Sequence, residues 1–169
     1  QETQSIQYIT QIFSGLVALD SDLKVIPALA HLPEVSQDGT VYTFRIRDGA
    51  AFHDGRLVTA QDAIYSWERA TDPALKSPTA GSYLGDIVGA REFLNGEAEN
   101  ITGLKIVDER TLQVTIDVPR AYFLSKLTHP VASMVDQVNV QETDLRGDWW
   151  RSPNGTGPFV LEQWIPSVA

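Results

Sequence analysis

Two stretches alternate apolar and polar side chains with a period of two. They limit the chain more than any other feature. In the first, Tyr42, Phe44 and Ile46 alternate with Thr43, Arg45 and Arg47, between the turn residues Gln37-Asp38-Gly39 and Asp48-Gly49. In the second, Leu104 and Ile106 alternate with Lys105 and Val107, and Leu112, Val114 and Ile116 alternate with Gln113, Thr115 and Asp117. Asp108-Glu109-Arg110 lies between these halves. Period-two alternation puts one face of a strand inward and the other in water, and a polar turn between two such runs makes a hairpin. The predicted core of the sheet is therefore Tyr42, Phe44, Ile46, Leu104, Ile106, Leu112, Val114 and Ile116.

Helical patterns are interspersed with these strands. Ile6, Ile9, Ile12 and Phe13 are spaced for a short helix over 4–13 that Gly15 can end. Leu16 to Leu19 then reads as a strand closed by Asp20-Ser21-Asp22, and 25–32, with Pro27, as irregular chain. Thr59 has the chemistry of an N-cap, and Asp62 completes a capping box. That helix should run to about Ala70, with Ala60, Ile64 and Trp67 inward. A second is expected over 84–95, with Ile87, Ala90 and Leu94 on one face and Gly96 as its C-terminal cap. A third is expected after Pro119, holding Tyr122, Phe123, Leu124 and Leu127 and ended by Pro130. Residues 136–148 are polar. Gly155-Thr156-Gly157-Pro158 reads as a loop feeding a strand over 159–161. Strands and helices in this order, with hairpin-linked neighbours, predict an α+β fold with a mainly antiparallel sheet and flanking helices.

Composition narrows the function. Of 169 residues, 13 are lysine or arginine and 22 aspartate or glutamate, a formal net charge of −9. That balance argues against a nucleic-acid partner, which calls for a basic stripe. The absence of cysteine removes disulfides, thiolate nucleophiles and thiolate metal sites together. No apolar run reaches the ~20 residues of a membrane-spanning helix. Gln1–Phe13 lacks the basic start of a signal peptide.

The candidate chemistry is thin. His31, His53 and His129 are far apart and lack metal-ligand spacing, so no metal site is expected. His53-Asp54-Gly55 reads as a turn rather than a ligand set. Gly155–Pro158 lacks the lysine and following helix of a phosphate-binding loop, and reads as a tight interdomain turn. Trp149-Trp150 offers a stacking platform for a sugar or peptide, but packing under a loop or against another domain is the better reading. No nucleophile, base and oxyanion donors come together, so no catalytic residue and no cofactor are expected.

Four segments, in order, resemble one family. They are QIFSGLVALDSDLKVIPALA (11–30), SQDGTVYTFRIRDGAAFHDGRLVTAQDAIYSWERATDP (36–73), residues 77–130 from SPTAGSY to KLTHP, and SPNGTGPFVLEQW (152–164). The chain resembles the extracellular solute-binding protein family 5, the oligopeptide- and dipeptide-binding proteins that feed ABC importers. The resemblance implies a small domain of a periplasmic-binding-protein-like type II fold, cut from a longer two-lobed protein. Residues 1–13 would belong to the first large lobe, 14–152 to the small extra domain, and 153–169 to the return towards the large lobe.

It further implies that the parent captures short peptides at the periplasmic or extracellular face of the cytoplasmic membrane. A lipid anchor is one means of attachment there. The parent would deliver its cargo to the membrane permease of an ABC importer. Thr79, in a loop where some relatives place a tyrosine, carries over as the residue approaching the peptide, with Ser77, Gly81 and Tyr83 as further loop candidates. The same scaffold with nickel chelate, haem or oligosaccharide as cargo is the alternative, and a stand-alone interaction domain is another.

Overall fold

The computed structural model describes residues 3–144 and 148–165. Its centre is a four-stranded antiparallel sheet of β3 (Glu34–Val35), β4 (Val41–Arg45), β5 (Leu104–Asp108) and β6 (Thr111–Thr115), in the order β3-β4-β6-β5. The register sets Tyr42 opposite Val114 and Phe44 opposite Leu112, so all four point to one face, and all four are buried. Ile46 and Ile116 continue that face as isolated bridges beyond the strand ends.

The second half of the predicted sheet core needs correction. Leu104 is half-buried and Ile106 is 39% exposed. They lie on the edge strand, where a register shift between Ile106 and Asp108 ends the regular pairing. A second, two-stranded sheet pairs β1 (Val17–Leu19) with β2 (Val25–Pro27). Residues 25–27 are therefore not irregular. The Asp20 carboxylate accepts the Asp22 and Lys24 N–H groups and folds the turn that brings this segment back onto β1.

The long helix α2 (Ala60–Thr71) starts at the predicted capping box. Thr59 Oγ1 accepts the Asp62 N–H and Asp62 Oδ2 accepts the Thr59 N–H. It buries Ala60, Ala63 and Trp67, while Ile64 is partly buried against the same core. The buried indole N–H is not left unpaired, an omission that would cost about 1–3 kcal/mol. It donates to the Ala132 carbonyl at 3.0 Å.

Beyond the helix α1 (Thr3–Ile12), the remaining helices are short: α3 (Ala80–Tyr83), α4 (Ala90–Leu94), α5 (Phe123–Lys126), α6 (Gln137–Asp144), and the 3₁₀ turns Pro130–Ala132 and Trp149–Arg151. The helix expected over 84–95 is reduced to α4. Gly89, at φ +82°, turns the chain left-handed just before it, a conformation that interrupts a right-handed helix. Gly96, at φ +76°, follows its last turn as predicted. Pro130 does not merely end α5. It opens a 3₁₀ turn capped by His129, a position where the missing proline N–H costs nothing. The polar stretch 136–148 contains α6. No strand forms over 159–161, where Phe159 and Val160 are more than 60% exposed.

Candidate functional site

Two chain passages cross where the first helix ends. The Thr156 and Gly157 N–H groups both donate to the Ile12 carbonyl, at 3.0 and 2.8 Å, and the Phe159 N–H donates to Gln11 O at 3.0 Å. The Ser14 N–H donates to Thr156 Oγ1 at 2.9 Å. A side chain cannot be placed at either glycine. A Cβ on Gly155 would overlap the Ile12 carbonyl oxygen, and one on Gly157 would overlap that of Gln11. This is why the Gly-x-Gly spacing is there: it admits a backbone, not a phosphate.

His53 fastens the crossing from the other side. Its N–H donates to Gly155 O at 2.9 Å. Nδ1 accepts the Gly155 N–H, so the ring proton sits on Nε2, which faces Gly157 O at 2.9 Å and donates to it. The Asp54 N–H donates to Asn154 Oδ1 at 3.1 Å. The two turns read separately in the sequence are thus one structure.

Beside it lies a buried ionic cluster. Arg56 grips Asp62 with both guanidinium nitrogens, at 3.0 and 2.9 Å, and reaches Asp136 at 2.7 Å. Asn154 Nδ2 donates to the second Asp136 oxygen at 2.7 Å. Asp62 and Asp136 are 6% and 4% exposed. Burial alone would push the arginine down, but the hydrogen bonds and charges of the two carboxylates outweigh it and hold Arg56 above its ordinary value. The guanidinium also lies 4.2 Å from the Phe52 ring centroid. Sequence reasoning found Asp62 as a cap but missed Arg56, Asp136 and Asn154. Their partners lie 6, 80 and 18 residues away, and no local pattern signals such pairings.

Above the crossing is an apolar groove of about 650 Å³. Ile9, Ile12 and Phe13 form one wall, Pro130, Val131 and Val135 another, and Trp149, Trp150 and Trp164 a third. Trp149 packs edge-on to Phe13 and under the Arg69 guanidinium, which agrees with the packing reading of the tryptophan pair. Trp150 is more open, edge-on to Trp164, and 41% exposed.

Of the four loop candidates, Ser77 and Thr79 precede α3, whereas Gly81 and Tyr83 lie within that helix rather than in a loop. Ser77 lines the groove and its Oγ accepts the Ala80 N–H at 3.2 Å. Thr79 is partly exposed at the N-cap of α3, and its side chain makes no cap hydrogen bond. Gly81 faces Leu94, whose Cδ2 would stand 3.0 Å from an added Cβ. The Tyr83 ring stacks on His129, with centroids 3.8 Å apart and planes at 19°. Among the described residues, no group of three acidic or histidine side chains could hold a metal ion. No described helix is long and apolar enough to cross a membrane.

Comparison with known proteins places this architecture. The model for the bacterial extracellular solute-binding proteins, family 5, matches residues 24–169. The chain belongs to that family. Among family 5 relatives, the periplasmic oligopeptide-binding protein OppA of Escherichia coli (strain K12) is 38% identical over 161 residues, covering 91% of this chain and 28% of OppA. The probable deoxycholate-binding periplasmic protein YgiS of the same strain is 35% identical over 171 residues, covering 98% of this chain and 31% of YgiS. The solved structure of the Escherichia coli murein tripeptide binding protein MppA superposes with a TM-score of 0.87 at 33% identity, covering 98% of this chain and 32% of that one. The chain spans about a third of the length of the family 5 proteins it matches.

Proposed function

We propose that the chain is part of an extracellular solute-binding protein that captures short peptides and hands them to the permease of an ABC importer. One observation carries this reading: peptide-binding relatives match nearly the whole chain, OppA in sequence over 91% of it and MppA in structure over 98%. The work is binding rather than catalysis, since the relatives are solute-binding proteins. Its site of action is the periplasm or the outer face of the cytoplasmic membrane, where OppA and MppA are periplasmic by name.

Within that protein, residues 1–13 belong to a large lobe, 14–152 form the small domain and 153–169 return to the lobe. The paired crossing of Ile12–Ser14 with Gly155–Gly157 supports a boundary there. The segment 77–83, with Ser77 and Thr79 ahead of α3 and Gly81 and Tyr83 within it, borders the cargo, with Thr79 the nearest. A chain that supplies one side of a cleft buries too little of a peptide to hold it, so the 169 residues alone bind no peptide measurably.

A thermal-shift panel on the protein containing this chain tests the reading. Di- to pentapeptides are expected to raise the midpoint, as ligands of the native state do. A panel of peptides without effect, beside a shift with another solute, overturns it. A second reading has a specific observation behind it: the YgiS relative is named for deoxycholate. That amphipath belongs in the same panel.

A further inference from the structure

His129 occupies a junction that the binding role does not use. Its Nδ1 accepts the Val131 N–H at 3.2 Å and so caps the 3₁₀ turn Pro130–Ala132. Pro130 and Val131 form a wall of the apolar groove, and the Ala132 carbonyl anchors the buried indole of Trp67. A face of the imidazole stacks on Tyr83 in α3. One ring therefore holds the groove wall and the end of α3 together.

We infer that His129 is a proton-responsive cap that couples the groove wall at Pro130–Ala132 to the end of α3 at Tyr83. Only a neutral ring can do both jobs as arranged. A proton on Nδ1 would set an N–H against the Val131 N–H, so the cap is lost and the ring must turn. Turning the ring, or charging it, changes its overlap with Tyr83. Burial holds the ring below its ordinary value, so the neutral, capping form is the one present near neutrality.

The charged groups around it are occupied elsewhere. Lys126 in α5 binds Asp86 at 2.6 Å. In α2, Arg69 lies on Trp149 and Glu68 accepts the Ile101 N–H. In α3 Tyr83 itself faces the ring, and α1 contributes the exposed phenol of Tyr8. The 3₁₀ turn carries no titratable side chain.

The sign follows from linkage. A histidine lowered in the folded state binds more protons when unfolded, so stability rises with pH through that window. The stabilisation is fully present above the ~6.5 of a free histidine and falls away as pH drops through the folded value.

The consequence for cargo rests on the reading of the segment 77–83 as bordering the peptide, and the two can fail separately. The test follows the His129 and Tyr83 ring resonances by NMR from pH 7.5 to 4.5, in the wild type and in His129→Asn. Asparagine keeps an acceptor for the Val131 N–H but does not titrate. The expected result is a common midpoint for both wild-type rings, below that of free histidine, and a flat Tyr83 signal in the variant. A Tyr83 signal that ignores His129 titration, or that moves equally in His129→Asn, overturns the coupling. Peptide affinity measured over the same range is expected to weaken with the midpoint. Affinity that stays level while the two rings titrate together supports the coupling and overturns the assignment of the segment to the cargo.

Discussion

The sheet with α2 and the crossing with its groove are built from similar residues but held in different ways. In the sheet, Phe44, Leu112, Val114 and Trp67 are fully buried, and every strand of the register supports its neighbour. At the crossing, Phe13 and Trp149 are only partly buried, Trp150 and Trp164 are exposed, and the chain is held by backbone amides, two glycines and His53. The difference teaches where stability and adaptability lie. Side-chain packing fixes the first region, and backbone hydrogen bonds hold the second while leaving aromatic surface available for contact.

The contrast can be broken by mutation, and the effects should descend in a definite order. Trp67→Ala removes the largest buried side chain of the core and should cost about 3–5 kcal/mol, read as the change in urea midpoint. A loss comparable to that of a surface change would mean that the sheet does not depend on α2. Asp136→Ala leaves Arg56 with one carboxylate and takes the acceptor from Asn154 Nδ2. Breaking a buried pair costs about 3–5 kcal/mol, and partial exposure of the arginine lowers the expectation to about 2–4 kcal/mol.

His53→Ala deletes two ring hydrogen bonds at the crossing and should cost about 1–3 kcal/mol. Hydrogen exchange should localise that loss to the amides of Thr156, Gly157 and Phe159. Exchange that rises instead in β4 and β6 would show that the crossing and the sheet are one cooperative unit. Trp164→Ala, at 51% exposure, should change stability by less than about 0.5 kcal/mol. A loss as large as that of Trp67→Ala would erase the distinction between the two regions.

The same contrast explains what was legible in the sequence. The hairpin, the capping box at Thr59 and the face formed by Tyr42 and Phe44 are local patterns, and each appears where its spacing predicts. The β2 strand was hidden because Pro27 and short length look irregular until β1 supplies a partner. Helix α6 was hidden by polar composition, since Gln137, Asn139 and Gln141 show no apolar period. The strand expected over 159–161 has the right residues, but among the described residues none pairs with it as a strand. The ionic cluster of Arg56, Asp136 and Asn154 and the latch of His53 on Gly155 join residues as far as 102 apart, a distance no local rule spans. Thr79, Gly81 and Tyr83 came from family resemblance, and the structure sets Thr79 at the N-cap of α3 and the other two on that helix, with Tyr83 already engaged by His129.

The central claim, capture of short peptides, is tested most directly by mass spectrometry of the solutes that remain bound when the protein containing this chain is purified under native conditions. The account predicts a mixture of short peptides of varied sequence. A single non-peptide solute, recovered in place of peptides, would contradict it.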